Sequence, residues 1–265
     1  MKLRSYCAPH LLVLMGYLLL SKVACAATVS LNPISDAFVS SANAGNNYGG
    51  AGAIAVSASG LAKGEFQSLL QFDLSSAKTS FDTTFGAGQW TVQSIGLQLT
   101  AAVPGAAIFN TSAAGSFLIS WMQNDTWQEG SGTPNAPGAT GVTWSSLPSF
   151  LSPSDQSLGS FSFSGATSGS FSYSMSLTSG PVGDTNTGQL TSLRLAANDA
   201  TISGVFNSRS FTTASARPVL SVTAVAVPEP AAWMIAVMGA AGITMRRGRV
   251  GAVIRANKDF KSRVP

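Results

Sequence analysis

The chain of 265 residues is 45% hydrophobic and only 10% charged, so it can bury a core in one or two domains. Its formal charge of +4 comes from the ends, because residues 27–226 carry five basic and nine acidic residues, a net charge of about −4. A protein that binds nucleic acid needs a basic surface to neutralise phosphates, and the acidic balance of this region excludes that class of partner.

Residues 1–26 have the three parts of a secretory signal peptide in the required order. The basic stretch MKLRSYCAPH precedes the apolar run LLVLMGYLLL, and the small residues ACA end at Ala26. This order predicts a signal helix that signal peptidase removes between Ala26 and Ala27. The alternative, lipidation of Cys25, is disfavoured because Lys22 stands where lipidation motifs carry an aliphatic residue.

Cleavage would change the chemistry that the mature chain can perform. The only histidine, His10, and the only cysteines, Cys7 and Cys25, all lie in the predicted signal peptide. The remaining chain could form no disulfide, thiolate nucleophile, Ser-His-Asp triad or ordinary zinc site. The sequence therefore predicts no catalytic residue and no metal-ligating residue of these classes.

From Val29 to Val225, short runs alternate apolar and polar residues between turn residues, as strands with one buried face do. The expected buried faces are Leu70, Phe72 and Leu74; Ile95, Leu97 and Leu99; Phe117, Ile119 and Trp121; Phe171, Tyr173, Met175 and Leu177; Leu193 and Leu195; Leu220 and Val222. With DAFVSS, AIAVSAS and GSFSFSG, eight or nine strands are expected, and no stretch shows sustained helical periodicity. We therefore predict an all-β fold, a single antiparallel β-sandwich of the jelly-roll type over residues 27–226. The serines and threonines between the apolar positions would form its solvated face.

Two long Gly/Pro/Asn-rich segments, ANAGNNYGGAG and GSGTPNAPGATG, read as loops and have aromatic residues in or beside them. Trp127 and Trp144 flank the second loop, and Tyr48 lies in the first. Sugar rings stack on exposed aromatic faces, so these three residues are candidate ligand contacts, with Glu129 as a hydrogen-bonding neighbour. In the alternative, the two tryptophans pack against each other and brace the loop, whereas Trp121 is expected in the core.

The acidic residues of the body suggest two further alternatives. Glycoside hydrolysis needs two carboxylates at a fixed separation, and Asp125 and Glu129 are near enough in sequence to form such a pair. Nothing in the sequence distinguishes them from loop-capping residues, so no catalytic residue is predicted. The loop ANAGNNYGG, together with Asp36, offers oxygen ligands for Ca²⁺. Because no spaced calcium-binding motif is present, no cofactor is predicted and calcium stays an alternative.

Residues 227–249 resemble the PEP-CTERM sorting signal. The motif residues Pro228, Glu229 and Pro230 precede an apolar run, and the basic cluster Arg246, Arg247 and Arg249 follows it. A helix over the fifteen apolar residues would be about 22 Å long, short of the roughly 30 Å hydrocarbon core, which favours a transient membrane anchor. The arginines should stay on the cytoplasmic side.

The resemblance to PEP-CTERM implies an exosortase-type processing enzyme as a partner, which would cut near the Pro-Glu-Pro motif. The chain departs from the pattern because a basic tail, residues 250–265, follows the arginine cluster. The alternative is an ordinary transmembrane helix with a cytoplasmic tail. In both cases, an exported domain is held at the membrane, at least for a time.

The body resembles the DNRLRE-type β-sandwich domains, which look like carbohydrate-binding modules, over about Asn32 to Thr223. The motifs that carry the resemblance are DAFVSSANAGNNYGG, SLLQFDLSS, SIGLQLTA, TWQEG, GVTWSSLPS and FNSRSFTTASARPVLSVT, in that order. The chain departs at Ser210, where members often carry Glu, and in a longer insertion around Thr79–Gln89.

Together, the two resemblances imply an exported bacterial surface or extracellular-matrix protein that binds envelope or extracellular polysaccharide without enzymatic activity. Before processing it would be anchored in the membrane by its C-terminal helix. Two alternatives stay open at this point: a hydrolase or lyase that acts on the polysaccharide, and a purely structural matrix protein.

Overall fold

The computed structural model describes residues 25–227, which form two β-sheets in which all strand pairs are antiparallel. The smaller sheet contains, in spatial order, β1 (Ala26–Leu31), β11 (Val219–Ala226), β5 (Trp90–Thr100) and β8 (Ser170–Met175). The larger sheet contains β10 (Ser203–Asn207), β3 (Ala53–Ser57), β4 (Phe66–Asp73), β9 (Leu190–Ala197), β6 (Gly115–Met122) and β7 (Gln156–Phe163), with β2 (Ser35–Ser40) paired to β4. The arrangement confirms the predicted all-β class and is consistent with a β-sandwich.

The main core is formed by the alternating residues of both sheets. Ile95 and Leu97 of β5 and Phe117 and Ile119 of β6 are at most 3% exposed and belong to one hydrophobic cluster. Trp121, 8% exposed, lies in the same cluster, so its predicted place in the core is confirmed. Leu177 was predicted to share the buried face of β8, which is wrong: the strand ends at Met175, and Leu177 is 44% exposed.

The central strand β4 is buried on both faces, because the segment 123–155 folds over the outer face of the larger sheet. Trp127, Val142 and Leu147 of this segment form a second hydrophobic cluster with Leu69 of β4. Alternation alone predicts a solvated outer face, but residues 66–72 are all buried. Segment 123–155 therefore covers the larger sheet on the side away from the main core, which the strand pattern alone does not predict.

Two helices correct the expectation that the body has no helical stretch: α1 (Ser75–Phe85) and α2 (Ser179–Thr187). Only Ala77 and Phe81 of α1 are buried. The buried face of this helix therefore consists of one pair of residues four positions apart, which is too short to give a recognisable helical periodicity in the sequence. In α2, Gly180 contacts the indole of Trp121 so closely that a Cβ would lie 2.4 Å from the ring. Tertiary contact therefore overrides the weak helix propensity of α2.

The outer face of the smaller sheet is lined by hydroxyl groups that pair across strands. Thr28 and Thr223 hydroxyls are 2.8 Å apart, and those of Thr100 and Ser170 are 2.9 Å apart. These exposed pairs confirm the solvated serine and threonine face predicted from the sequence.

The predicted cleavage point falls at the start of this sheet. Ala26 and Ala27 are the first residues of β1 and pair with Val225 and Ala224. The signal helix and the C-terminal transmembrane helix, with the sorting residues Pro228, Glu229, Pro230, Arg246, Arg247 and Arg249, fall outside the described residues. Within the described part of the chain, no helix has the length and hydropathy required to cross a bilayer.

Candidate functional site

Four loops meet at one end of the larger sheet and enclose a groove of about 420 Å³. This volume lies within the range typical of ligand-binding clefts. The groove is lined by Gly50, Ala51, Gly52, Ala53, Ala102, Val103, Gly105, Ala106, Phe109, Thr133, Pro134, Asn135, Val205, Asn207 and Phe211. Two of its loops are the Gly/Pro/Asn-rich segments that the sequence indicated, and they lie beside each other.

Backbone hydrogen bonds fix the four loops to one another. The N–H of Gly50 donates to the carbonyl of Gly132 at 2.9 Å, and the N–H of Ser208 donates to the carbonyl of Gly52 at 3.3 Å. The N–H of Ala102 donates to the carbonyl of Val205 at 2.8 Å and joins the two remaining loops. The groove is therefore formed by residues that are distant in sequence.

Asn47 is the centre of the junction between the two Gly-rich loops. Its Nδ2 donates to the carbonyls of Glu129 and Val142 at 2.7 and 2.8 Å, and its Oδ1 accepts the N–H groups of Gly49 and Gly132 at 3.1 and 3.2 Å. The side chain is fully buried. All four hydrogen-bonding positions of the amide are occupied, so Asn47 holds the loops in one geometry.

Two phenylalanines contribute the aromatic surface of the groove. Phe109 is 9% exposed and packs 5.3 Å from Phe38 between ring centroids, whereas Phe211 is only half-buried. A half-buried ring in a groove offers a face on which a sugar ring can stack. Tyr48 stacks on Phe38 at 4.7 Å and belongs to the same cluster as Phe109, so it lies behind this surface.

An ionic cluster anchors the loop that carries Phe211. The guanidinium of Arg209 binds the carboxylate of Glu129 through two N–H groups, and the backbone N–H of Arg209 donates to Asp36 Oδ2. Glu129 Oε1 also accepts the backbone N–H of Asp36 at 3.2 Å. The cluster therefore joins β2, the segment after Trp127 and the loop after β10.

Asp36 is the most perturbed carboxyl group of this cluster. It is 1% exposed. Burial, reinforced by the nearby charge of Glu129, raises the pKa of Asp36 to about 7, although the hydrogen bond from Arg209 opposes the shift. A carboxyl group that is half neutral near pH 7 is a poor cation ligand, but calcium binding here stays a hypothesis.

The sequence-predicted ligand residues are not brought together in the groove. Trp127 is 2% exposed and donates from Nε1 to Ser192 Oγ at 2.9 Å, and Tyr48 is 2% exposed. Neither offers an open ring face to a sugar as placed, because core neighbours cover both rings. Half-buried Trp144 packs against the cluster that contains Trp127, and Glu129 binds Arg209. The geometry favours the bracing alternative for the two tryptophans.

The carboxylates considered for hydrolysis occupy different surroundings. Glu129 is paired with Arg209, whereas the backbone carbonyl of Asp125 accepts Gln71 Nε2 at 2.7 Å. Burial raises the pKa of Asp125, and its hydrogen bonds with Ser192 and Gln71 oppose the shift. Among the residues that line the groove, none is a carboxylate. The groove therefore lacks the acidic pair that glycoside hydrolysis requires.

Sequence reasoning missed Phe109 and Phe211 as candidate contacts. Phe211 lies in the motif FNSRSFTT, which was used only for the family resemblance, and Phe109 lies in a loop without a periodic pattern. Both phenylalanines are aromatic residues within loops, so the criterion that selected the tryptophans could also have selected them.

Comparison with known proteins gives one family. The family model described as carbohydrate-binding module family 96 matches residues 27–223, which include all the loops of the groove and both sheets except the outer ends of β1 and β11. No curated protein matches the chain.

Proposed function

The chain belongs to carbohydrate-binding module family 96, and on this basis we propose that it is a non-catalytic protein that binds polysaccharide in the groove beside Phe211. The family match supports carbohydrate binding for the region as a whole. The proposal adds the location of the site and the polymeric nature of the ligand.

The observation that carries the proposal is the combination of a ligand-sized groove with a half-buried aromatic ring. Phe211 supplies the ring, and Thr133, Asn135 and Asn207 supply polar groups around it. Binding sites for small molecules usually join a mostly apolar surface to a few polar groups in this way. The closed hydrogen-bond network of Asn47 keeps the loops in place, which reduces the entropy lost when a ligand binds.

Carbohydrate profiling of the purified full-length chain tests this function. Binding to a polysaccharide without release of product is the expected result. Release of shortened sugars would instead support the hydrolase or lyase alternative, and absence of both binding and product would support a structural matrix protein.

A pair of variants tests the location of the site. Phe211→Ala removes the half-buried ring from the groove, and Phe85→Ala removes a half-buried ring from α1. Loss of stacking should weaken binding about five- to 150-fold, using the magnitude of base–aromatic stacking. We expect this loss only in Phe211→Ala; equal effects of both variants would place the site elsewhere.

We further propose that the protein is exported and reaches the cell envelope or the extracellular matrix. The basic and apolar parts of residues 1–26 and the small residues before Ala27 support cleavage by signal peptidase. The intact mass of the exported protein should correspond to a chain that begins at Ala27. Recovery of peptides that contain His10 from the exported pool would contradict cleavage.

The order of motifs in residues 227–249 supports sorting by an exosortase-type enzyme after transient membrane anchoring. Changing Pro228, Glu229 and Pro230 together to alanine should leave an unprocessed membrane protein, because the apolar run and the arginines are retained. Processing and release at the normal rate would identify the segment as an ordinary anchor.

A further inference from the structure

The chain enters and leaves the smaller sheet at the same end. Ala26, the first residue of β1, pairs with Val225 near the end of β11. Ala226, the last residue of β11, pairs with Trp90, where β5 begins. The first and last residues of the body therefore lie on neighbouring strands, one strand spacing, or roughly 5 Å, from each other.

The groove lies at the opposite end of this sheet. β5 runs from Trp90 to Thr100, and two residues that follow it, Ala102 and Val103, line the groove. Ala102 is fixed there because its N–H donates to the carbonyl of Val205 at 2.8 Å. A strand of 11 residues, at about 3.3 Å for each residue, separates the groove from the chain ends by roughly 30 Å.

Strand β11 gives the same arrangement independently. The loop that carries Phe211 leads into β11 at Val219, which pairs with Gln98 near the groove end of β5. From there β11 runs for 8 residues to Ala226 at the other end of the sheet. Two of the loops that line the groove are therefore separated from the chain ends by the whole length of a strand.

From this arrangement we infer that the protein binds polysaccharide while it is held by its ends, and so links its point of attachment to the polymer. The inference rests on the proposed function of the groove and adds the role of a link. Residues 1–25 precede β1 and residues 227–249 follow β11, so both apolar segments of the sequence join the body at the end opposite the groove. The attachment that these segments offer is a lipid bilayer.

Attachment at this end should leave the groove unchanged. The loops of the groove are held by their own hydrogen bonds, chiefly those of Asn47, and none of these bonds involves the ends of β1 or β11. Two sites without a shared conformational change have no coupling free energy, so the affinity of the groove should be the same in the attached and the free protein. A polymer that reaches several attached copies should then bind with an apparent affinity increased by about 10²- to 10⁴-fold.

Coupling to beads through chosen residues tests this geometry without a membrane. In full-length chains that carry Cys7→Ser and Cys25→Ser, Val227→Cys provides a thiol at the end of the body, and Ser168→Cys provides one in the loop between β7 and β8. Both positions are exposed, and neither lines the groove. The loop of residue 168 lies at the groove end of β5, because Ser170 at its end pairs with Thr100.

The probes are fluorescein-labelled xylan, galactomannan and alginate, used first on the free chain in detergent. After coupling to maleimide-coated beads, the chain held at residue 227 should bind the same polymer within about twofold of the free affinity, and the chain held at residue 168 should lose at least about tenfold. Equal losses at the two positions would overturn the inference. Absence of binding by the free chain would instead overturn the proposed function as well.

Liposomes of phosphatidylcholine that contain the full-length chain test the link itself. Addition of the polymer should aggregate these liposomes, as measured by light scattering, and Phe211→Ala should abolish the aggregation because it removes the ring from the groove. Binding by the free chain but not by the liposomes would overturn the inference and leave the proposed function standing. Failure of the chain to enter the liposomes would exclude the bilayer as the attachment.

Discussion

The backbone N–H of Gly132 donates to Asn47 Oδ1 at 3.2 Å, and this contact joins the two Gly-rich loops at the groove. A Cβ on Gly132 would lie 1.9 Å from the Asn47 carbonyl oxygen, so the two backbones meet at a distance that only glycine permits. The hydrogen bond from Gly132 to the Asn47 side chain therefore requires that residue 132 has no side chain.

Replacing Asn47 with alanine should destabilise the protein strongly. The change leaves two carbonyls and two N–H groups without their buried partner, and each unsatisfied group costs about 1–3 kcal/mol. Since a water molecule that enters the space left by the amide would satisfy some of these groups, we expect a loss of roughly 3 kcal/mol or more in the free energy of unfolding. Asn46→Ala is the matched control, since the half-buried side chain of Asn46 makes one hydrogen bond, from Nδ2 to the Tyr48 hydroxyl at 3.3 Å. Similar denaturant midpoints for the two variants would contradict the role of Asn47.

Adding a methyl group to Gly132 should disturb the same junction. The clash is with backbone atoms, which cannot rotate away as a flexible side chain can. Gly132→Ala should therefore lower the melting temperature and weaken glycan binding, because the loops must move apart. Gly45→Ala is the control in the first loop, where a Cβ would meet nothing within 4 Å. An unchanged melting temperature for Gly132→Ala would show that the loops relax without cost.

The sequence predicts the strands of this protein better than its site. Alternation identified the buried faces of β5 and β6 because each strand repeats its pattern over several residues, and Gly, Pro and Asn marked the loops that form the groove. The contact of Asn47 with Gly132 spans 85 residues, and no local pattern encodes it. The burial of Trp127 could not be predicted for the same reason. It depends on segment 123–155 folding over β4, and the alternation of apolar and polar residues in a strand carries no information about that contact.

Asp36→Asn should remove a pH dependence of stability. The folded-state pKa of about 7 lies above the ordinary value of 3.8, so the folded chain holds a proton that the unfolded chain has already lost. The stabilisation by neutral Asp36 is fully present below about pH 4 and is lost as the pH rises through 7. Asparagine keeps an acceptor for the Arg209 N–H and does not ionise, so the variant should gain stability relative to the unmodified chain over this interval.

The measurement for Asp36 is the difference in melting temperature between variant and unmodified chain, at several pH values from 4 to 8. Taking the difference removes the contributions of other carboxyl groups, such as Asp199, whose pKa hydrogen bonds lower to about 2. Asn46→Ala, which removes no ionisable group, is the control and should give a difference that is constant with pH. A constant difference for Asp36→Asn as well would show that folding does not raise the pKa of Asp36.

Variants of Trp127 and Trp144 distinguish a bracing role of these side chains from contact with a ligand. Trp127 is 2% exposed within a cluster that covers the larger sheet, so Trp127→Ala should cost about 3–5 kcal/mol of stability. Trp127→Phe should cost less, because it retains an aromatic ring and loses chiefly the hydrogen bond to Ser192. Half-buried Trp144 should give a smaller loss than Trp127 on replacement by alanine.

Glycan binding measured on the same variants, below their melting temperatures, completes this test. Neither tryptophan lines the groove, so the fraction of folded protein should account for any loss of binding in Trp127→Ala or Trp144→Ala. Weaker binding by Trp144→Ala at an unchanged melting temperature would instead make Trp144 a ligand contact and extend the site beyond the groove. The comparison with Phe211→Ala is decisive, since that variant should lose affinity while its melting temperature changes by less than that of Trp127→Ala.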